Sequence, residues 1–371
     1  MKLILASIFF ILSTISFAQT SAPYSFFVAG HVSGTPGVDN IGLHPEFKNH
    51  FPYIINRNEI ELGVFTGDIV RAFPYPLESD WIEVDNDVST LGIPVHYAVG
   101  NHDMENREVF ESRYGKTYYS FTYQNDLFMV LDPNLDHWNI SDDQLSFISQ
   151  VLDTSSANNL FVFVHQVLWK EENTVFNYIK WNSDEGRADS INFWSSVIPL
   201  FDKGKRPVYF FAGDVGSASY ASALSYDRVD NFTFISSGMG NMTDENFLVV
   251  NVSSSKEITY DVICTSANEY HCLGDLTDHK INDLLHIEPF INPTNTVTIY
   301  PNPAINNTLL QFPEITSGKV EIFNLNGQFL NSVLFSEQYA VDINTSNYSK
   351  GIYLIQIKTS EEMYQKKLVV K

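Results

Sequence analysis

The sequence predicts two architectures in one chain: a layered α/β domain followed by a small all-β sandwich. Three observations carry that prediction. Short apolar runs alternate with helix-like stretches through residues 24–212, several of these runs end in Gly followed by a polar residue, and from residue 293 the pattern changes to alternating strands separated by turns. At 371 residues the chain is long for one average domain, and its 44% apolar content is ordinary for a globular protein with a sizeable core.

Residues 1–18 read as a secretory signal peptide. Lys2 precedes the apolar run Leu3 to Leu12, and Ser16-Phe17-Ala18 before Gln19 fits a small-x-Ala cleavage site. The run is short for a membrane span, and no later stretch approaches the roughly 20 apolar residues a spanning helix needs. The mature chain is therefore expected to be exported, with no transmembrane segment.

The first domain is expected over 19–264. Tyr24 to Ala29, Leu62 to Thr66, Val95 to Val99, Leu127 to Leu131, Leu160 to Val164 and Val208 to Ala212 are apolar and bounded by Gly, Pro, Asp or Asn, which suits strands covered on both faces. Ser141-Asp142-Asp143-Gln144 has the form of a capping box, and Leu145, Ile148, Val151 and Leu152 follow at helical spacing. Ile191 to Phe201 reads as a second short helix. Phe232 to Ser236, Phe247 to Val252 and Ile258 to Cys264 finish the sheet system, and 265–292, without a sustained period, reads as a linker or cap.

The second domain is expected over 293–371. Lys319 to Phe323 and Gln328 to Leu330 flank Asn326-Gly327, a hairpin signal because both turn residues tolerate positive φ. Gly351 to Ile357 and Lys366 to Val370 alternate in the same way, as a small sandwich requires.

Charge marks the same boundary. Residues 293–371 hold six Lys and six acidic residues, so nearly all of the net charge of −22 belongs to the first domain. Such a surface repels a phosphate backbone, so no nucleic-acid partner is expected and a nuclease is disfavoured. The two cysteines, Cys264 and Cys272, are close together in sequence, and in an oxidising compartment they are expected to pair.

The chemistry is expected where strands end, since ligands of open α/β sheets bind outside the carboxyl ends of the strands. Five such ends carry Gly30-His31, Gly67-Asp68, Gly100-Asn101-His102-Asp103, His165-Gln166 and Gly213-Asp214. Carboxylate, amide oxygen and imidazole together suit a divalent transition metal. Other histidines and aromatics have plainer readings: His96 as a packed or surface residue, and Trp169, Phe176, Tyr178, Trp181 and Trp194 as core or cover, with a substrate mouth as the alternative.

The order and spacing of these five ends resemble the calcineurin-like metallophosphoesterase family, across residues 22–262. The resemblance implies a four-layer α/β/β/α sandwich and a hydrolase holding one or two divalent ions of manganese, iron or zinc. It gives Asp68 the role of bridging carboxylate, Asn101 and His165 that of second-metal ligands, and His102 that of general acid near the leaving group, oriented by Asp103. A phosphate mono- or diester would be hydrolysed by metal-activated hydroxide without a phosphoenzyme.

The departures from the family pattern fall on one metal. The family's Asp-x-His is here His31-Val32-Ser33, and its Gly-His-x-His is Gly213-Asp214-Val215-Gly216. The second site keeps Asp68, Asn101, His165 and Asp214, whereas the first keeps only Asp68 and His31, with His44 and His50 as distant candidates. His31 as a simple strand-end histidine and Asp214 as a turn residue remain open alternatives. The competing function is a non-catalytic binding protein on a degenerate scaffold; the retained Asn101, His102 and Asp103 oppose it.

Ile299-Tyr300-Pro301-Asn302-Pro303-Ala304, Gly327-Gln328, Gly351-Ile352-Tyr353 and Lys366-Lys367-Leu368-Val369 resemble the C-terminal sorting domain of type IX secretion. That resemblance implies passage through the periplasm, an interaction with the type IX secretion machinery, and release or anchoring at the cell surface. An adhesive or carbohydrate-binding sandwich is the alternative.

Overall fold

The computed structural model describes residues 22–33, 41–71, 76–171, 174–218, 220–240, 245–265, 273–281, 297–324, 328–359 and 363–371. The expected signal peptide, Cys272 and the Asn326-Gly327 turn lie outside these residues. The chain divides into two compact units, Met1–Glu288 and Pro289–Lys371.

Among the described residues of the first unit, eleven strands form two sheets. They are β1 (Tyr24–Ala29), β2 (Ile60–Thr66), β3 (Val95–Ala98), β4 (Tyr119–Tyr123), β5 (Asp126–Val130), β6 (Leu160–Val164), β7 (Val208–Ala212), β8 (Leu224–Val229), β9 (Phe232–Ser237), β10 (Asn246–Val252) and β11 (Ile258–Cys264). One sheet has the order β11-β10-β1-β2-β3 and the other β4-β5-β6-β7-β9-β8. Their interiors are parallel, through β1, β2 and β3 in the first and β5, β6, β7 and β9 in the second, with antiparallel strands added at the margins. The result is a mixed α/β fold.

Successive strand side chains point to opposite faces, and β1 uses both. Phe26 and Val28 join Phe128, Phe163 and Phe211 in a core shared by the two sheets. Phe27 and Ala29 face the other way, into a core with Trp81 and Val84 of the helix Glu78–Ser89 and Phe110 of the helix Arg107–Tyr114. The outer face of the second sheet, including Val162, Phe210 and Phe234, packs on Ile148 of the helix Asp142–Thr154 and on Phe201. Both strand faces are thus buried, which is why these strands read as continuous apolar runs. At the end of the sheets where β5 and β6 begin, a buried Asp126 ties the two together by accepting Tyr24 Oη and Lys256 Nζ, each at 2.8 Å.

The structure corrects some local expectations and agrees with others. Ser141 stands at the N-cap of its helix but its hydroxyl makes no capping bond. Gln144 turns inward instead, its amide bonding the backbone N–H and C=O of Asp132, both at 2.8 Å. The helix expected over Ile191 to Phe201 opens with a wide π-helical turn, Phe193–Val197, before the helix Ile198–Asp202. Part of the expected linker belongs to the first unit, since Leu276 and Ile281 are buried in its cores. Trp169 and Phe176 are core residues, and Trp181 lies under Lys170 and against Trp138. Cys264 is disulfide-bonded.

The second unit is built on β12 (Thr298–Tyr300), β13 (Asn307–Asn324), β14 (Phe329–Asn344), β15 (Gly351–Thr359) and β16 (Met363–Val370). The first part of β13 pairs with β12 and the last part with β15. Leu310, Val341 and Ile343 from one part meet Val320, Ile355, Ile357 and Leu368 from the other in a single core. The Asn302 side chain bonds the backbone of β16, accepting Val369 N at 2.9 Å and donating to Lys367 O at 2.8 Å.

Candidate metal centre

Every residue expected at the site stands at or just beyond the C-terminal end of a strand, and glycines explain how it gets there. Gly30 and Gly67 deliver His31 and Asp68, whose φ values are 53° and 54°. Non-glycine residues avoid this left-handed region, and such strain persists only where surrounding contacts over-determine it. Here His31 N donates to Gly67 O at 3.2 Å and Ser33 N to Asp68 O at 3.0 Å. A Cβ on Gly100 would stand 2.0 Å from Asp68 Oδ1, and one on Gly67 2.4 Å from His165 Nδ1, so neither position admits a side chain.

Asp68 is the centre of the cluster. Its Oδ2 lies 3.3 Å from His31 Nε2, 3.3 Å from His165 Nε2 and 3.5 Å from His102 Nε2. Its Oδ1 accepts the backbone N–H of His102 at 3.2 Å. His165 Nε2 also lies 3.1 Å from Asn101 Oδ1 and 4.0 Å from Asp214 Oδ1. The sequence-predicted residues are therefore brought together, Asp214 at the greatest remove. His31, Asp68 and His165 are buried, while the His102 side chain is 27% exposed and Asn101 is exposed, so the cluster opens on that side.

The donor set fits a divalent cation. His165 Nδ1 sits 2.8 Å from Thr66 O. A carbonyl can only accept, so Nδ1 carries a proton and Nε2 is the atom that can face a metal, the usual arrangement behind a ligating histidine. Burial opposes charge on His165, but Asp68 and then Asp214 outweigh it and push its pKa up to about 10. Burial alone would raise the Asp68 carboxyl; His102, His165 and His31 around it hold it well below the usual carboxylate range instead. Burial brings His31 down to about 4, and raises Asp214 to about 6 despite His165. A proton on His165 thus balances Asp68, and a bound cation would displace it, as metal binding to imidazole requires.

Asp103 and His102 make contacts that the resemblance does not imply. Asp103 does not orient the His102 imidazole. It is buried, and its Oδ2 accepts the backbone N–H of Asp68 at 2.9 Å and of Gly100 at 2.8 Å, while Oδ1 accepts those of Ile69 and Val70 at 2.9 and 3.2 Å. Burial and the like charge of Asp68 push its pKa up to about 7. His102, expected near a leaving group, turns its Nε2 to Asp68 and belongs with His31 and Asp68 to a set whose ligand atoms all lie within 4.8 Å of one another. His44 and His50 lie elsewhere: His44 faces Glu245 at 3.7 Å and His50 Nδ1 is 2.9 Å from Glu46 O. Gly216, which stands where the resembling family has a histidine, has no side chain to offer as a ligand. Gly216 has φ +86°, and a Cβ there would meet Gly238 O at 2.9 Å.

Some supporting residues were not legible. Asn182, from the insertion over 169–194, accepts Ser217 N at 2.8 Å and Ala218 N at 3.1 Å and donates its own backbone amide to Asp214 O at 3.2 Å, which fixes the Asp214 loop. Gln166, directly after His165, donates to Asn134 Oδ1 at 2.6 Å, and Asn134 donates to Val99 O at 3.2 Å, just ahead of Gly100. A groove of about 1150 Å³, lined in part by Gln124, Asn125 and Asn158, lies where β5 and β6 begin, at the opposite strand end from Asp68.

Comparisons with known proteins identify the tail. Residues 298–371 match the secretion system C-terminal sorting domain. Over 76 residues the chain is 32% identical to an ulvan lyase of Nonlabens ulvanivorans, which is 20% of this chain and 14% of that protein's length. The sorting domain implies an interaction with the type IX secretion machinery and export to the cell surface or beyond. Among the described residues no helix is long and apolar enough to cross a membrane. Among solved structures, a 5'-nucleotidase precursor from Thermus thermophilus aligns over 94% of this chain and 89% of its own, with 9% identity and a TM-score of 0.39. A Cellulomonas fimi endo-beta-1,4-mannanase double mutant aligns over 94% of each chain, with 9% identity and a TM-score of 0.21. Likenesses at this level carry no weight for fold or function.

Proposed function

We propose that the chain is an exported, metal-dependent phosphoesterase that hydrolyses a phosphate mono- or diester, with residues 19–264 as the hydrolase body and 293–371 as the export module. The two sheets with helices outside them are read as the four-layer α/β/β/α sandwich of the resembling family. The observation that supports this most is the crowding of three imidazole Nε2 atoms around one carboxylate oxygen, Asp68 Oδ2, at 3.3–3.5 Å. A divalent transition metal bound there supplies Lewis-acid polarisation of a phosphoryl oxygen and lowers the pKa of water towards neutrality.

The chain's own groups do the rest. Asp68, Asn101 and His165 hold the cation, with Asp214 able to complete the set. Thr66 O fixes the His165 ring. Asp103 fixes the backbone that carries Asp68, so the donors need little reorganisation when substrate arrives. The open side at Asn101 and His102 admits the ester.

The test is chelation and reconstitution of purified chain, assayed with p-nitrophenyl phosphate and bis(p-nitrophenyl) phosphate. Turnover of at least one ester should disappear on exhaustive chelation and return with manganese, iron or zinc. Turnover that survives chelation contradicts the proposal. A cation-loaded chain that turns over neither ester would favour the binding-protein reading.

A further inference from the structure

His31 and His102 stand outside a site built from Asp68, Asn101, His165 and Asp214, yet their ligand atoms and that of Asp68 all lie within 4.8 Å of one another. Four donors at about 2.0–2.1 Å from a tetrahedral zinc lie about 3.3–3.4 Å from each other. The observed spacings to Asp68 Oδ2 are 3.3 Å for His31 Nε2 and 3.5 Å for His102 Nε2. The His31 and His102 rings stand edge to face, 82° apart with centroids at 6.3 Å, so they are not stacked on each other. Asp68 Oδ1 is already engaged by His102 N at 3.2 Å, which directs Oδ2 at the imidazoles on both sides.

We propose that His31, Asp68 and His102 form a second cation site that shares Asp68 Oδ2 with the Asn101–His165 site, and that His102 serves there as a metal ligand. His102 would thereby replace ligands missing at Ser33 and Gly216. A cation held by these three residues would have a fourth position left for water or a phosphoryl oxygen, as a catalytic three-ligand site requires, and His102 is the partly exposed member of the set. The inference rests on the proposed metal-dependent activity and adds a ligand set to it.

The experiment is metal titration of demetallated full-length chain with zinc and with cobalt(II), following stoichiometry and the cobalt d–d spectrum. Wild type should bind two equivalents. His31→Ala and His102→Ala should each lose the same equivalent, with affinity falling more than the roughly 100-fold that follows removal of a group merely supporting a ligand; His165→Ala should lose the other. His102→Gln and circular dichroism guard against an unfolded variant. Loss of the His102 equivalent should slow aryl and alkyl phosphate esters alike.

Two equivalents retained by His102→Ala, with only poor leaving groups slowed, would make His102 a proton donor and overturn the inference. One wild-type equivalent, removed by His165→Ala but by neither His31→Ala nor His102→Ala, would overturn it while leaving the proposed function intact. No bound cation in the wild type would overturn both.

Discussion

The carboxylate of Asp103 accepts the backbone N–H of Asp68 at 2.9 Å, so the acid beside His102 in sequence holds the other loop of the site. It also takes the amides of Ile69, Val70 and Gly100. Asp103→Ala would leave four buried donors unpaired and should destabilise the first unit by about 3–5 kcal/mol, on the scale of breaking a buried charged network. Denaturant unfolding measures this. Asp103→Ala with wild-type stability would show that the loops hold themselves.

Gly100→Ala is a harsher change than its size implies, because the new methyl would meet the Asp68 backbone N at 2.2 Å as well as Oδ1 at 2.0 Å. Overpacking of a tight site costs about 1–3 kcal/mol. The expected outcome is a lower melting temperature together with weakened cation binding by calorimetry. Unchanged cation affinity would mean that the Gly100 and Asp68 loops can part without disturbing the cluster.

The strand ends are legible because each buried run stops at a glycine and hands over a polar residue, a signal that survives without three-dimensional context. In the first unit the strands not anticipated, β4 and β8, are the two edges of one sheet. Their sequences, Tyr-Ser-Phe-Thr-Tyr and Leu-Ser-Tyr-Asp-Arg-Val, mix polar and apolar residues as half-covered strands do, which blurs them against turns. The role of Asp103 is not legible, because adjacency to His102 in sequence does not bring the two side chains into contact. Both residues lie in the helical turn Asn101–Met104, where neighbours point about 100° apart and do not face each other. Asn182 reaches Asp214 through an insertion whose docking no local pattern encodes.

His96 offers a pH test away from the cluster. It stacks on Phe121 with ring centroids 3.7 Å apart, and burial lowers its pKa from 6.5 to about 4. The unfolded chain therefore takes up the proton first on acidification. The stability that neutral His96 contributes is complete above about pH 6.5 and is lost as pH falls through about 4. His96→Phe should flatten this part of the stability profile relative to wild type between pH 7 and pH 4, measured by thermal melts at each pH. Parallel profiles for the two proteins would contradict the burial argument.

The tail should be separable from the chemistry. Removing residues 293–371, which lie within the second unit and contain its core, should leave cation content and hydrolysis by the purified remainder unchanged. In the producing bacterium the shortened chain should accumulate inside the outer membrane. Normal export of the shortened chain, measured by fractionation and immunoblotting, would show that the signal lies elsewhere.

The most direct measurement is the paired metal content and phosphate-ester turnover of wild type and Asp68→Asn, because Asp68 Oδ2 is the atom on which His31, His102 and His165 converge. The substitution keeps the side chain's shape and removes its charge, so a folded protein with normal secondary structure by circular dichroism is expected. On the proposal that Asp68 anchors the metal, wild type should carry tightly held transition metal and hydrolyse the ester, and Asp68→Asn should lose both the metal and at least about 100-fold of the rate. An Asp68→Asn protein with the metal content and turnover of wild type would contradict it.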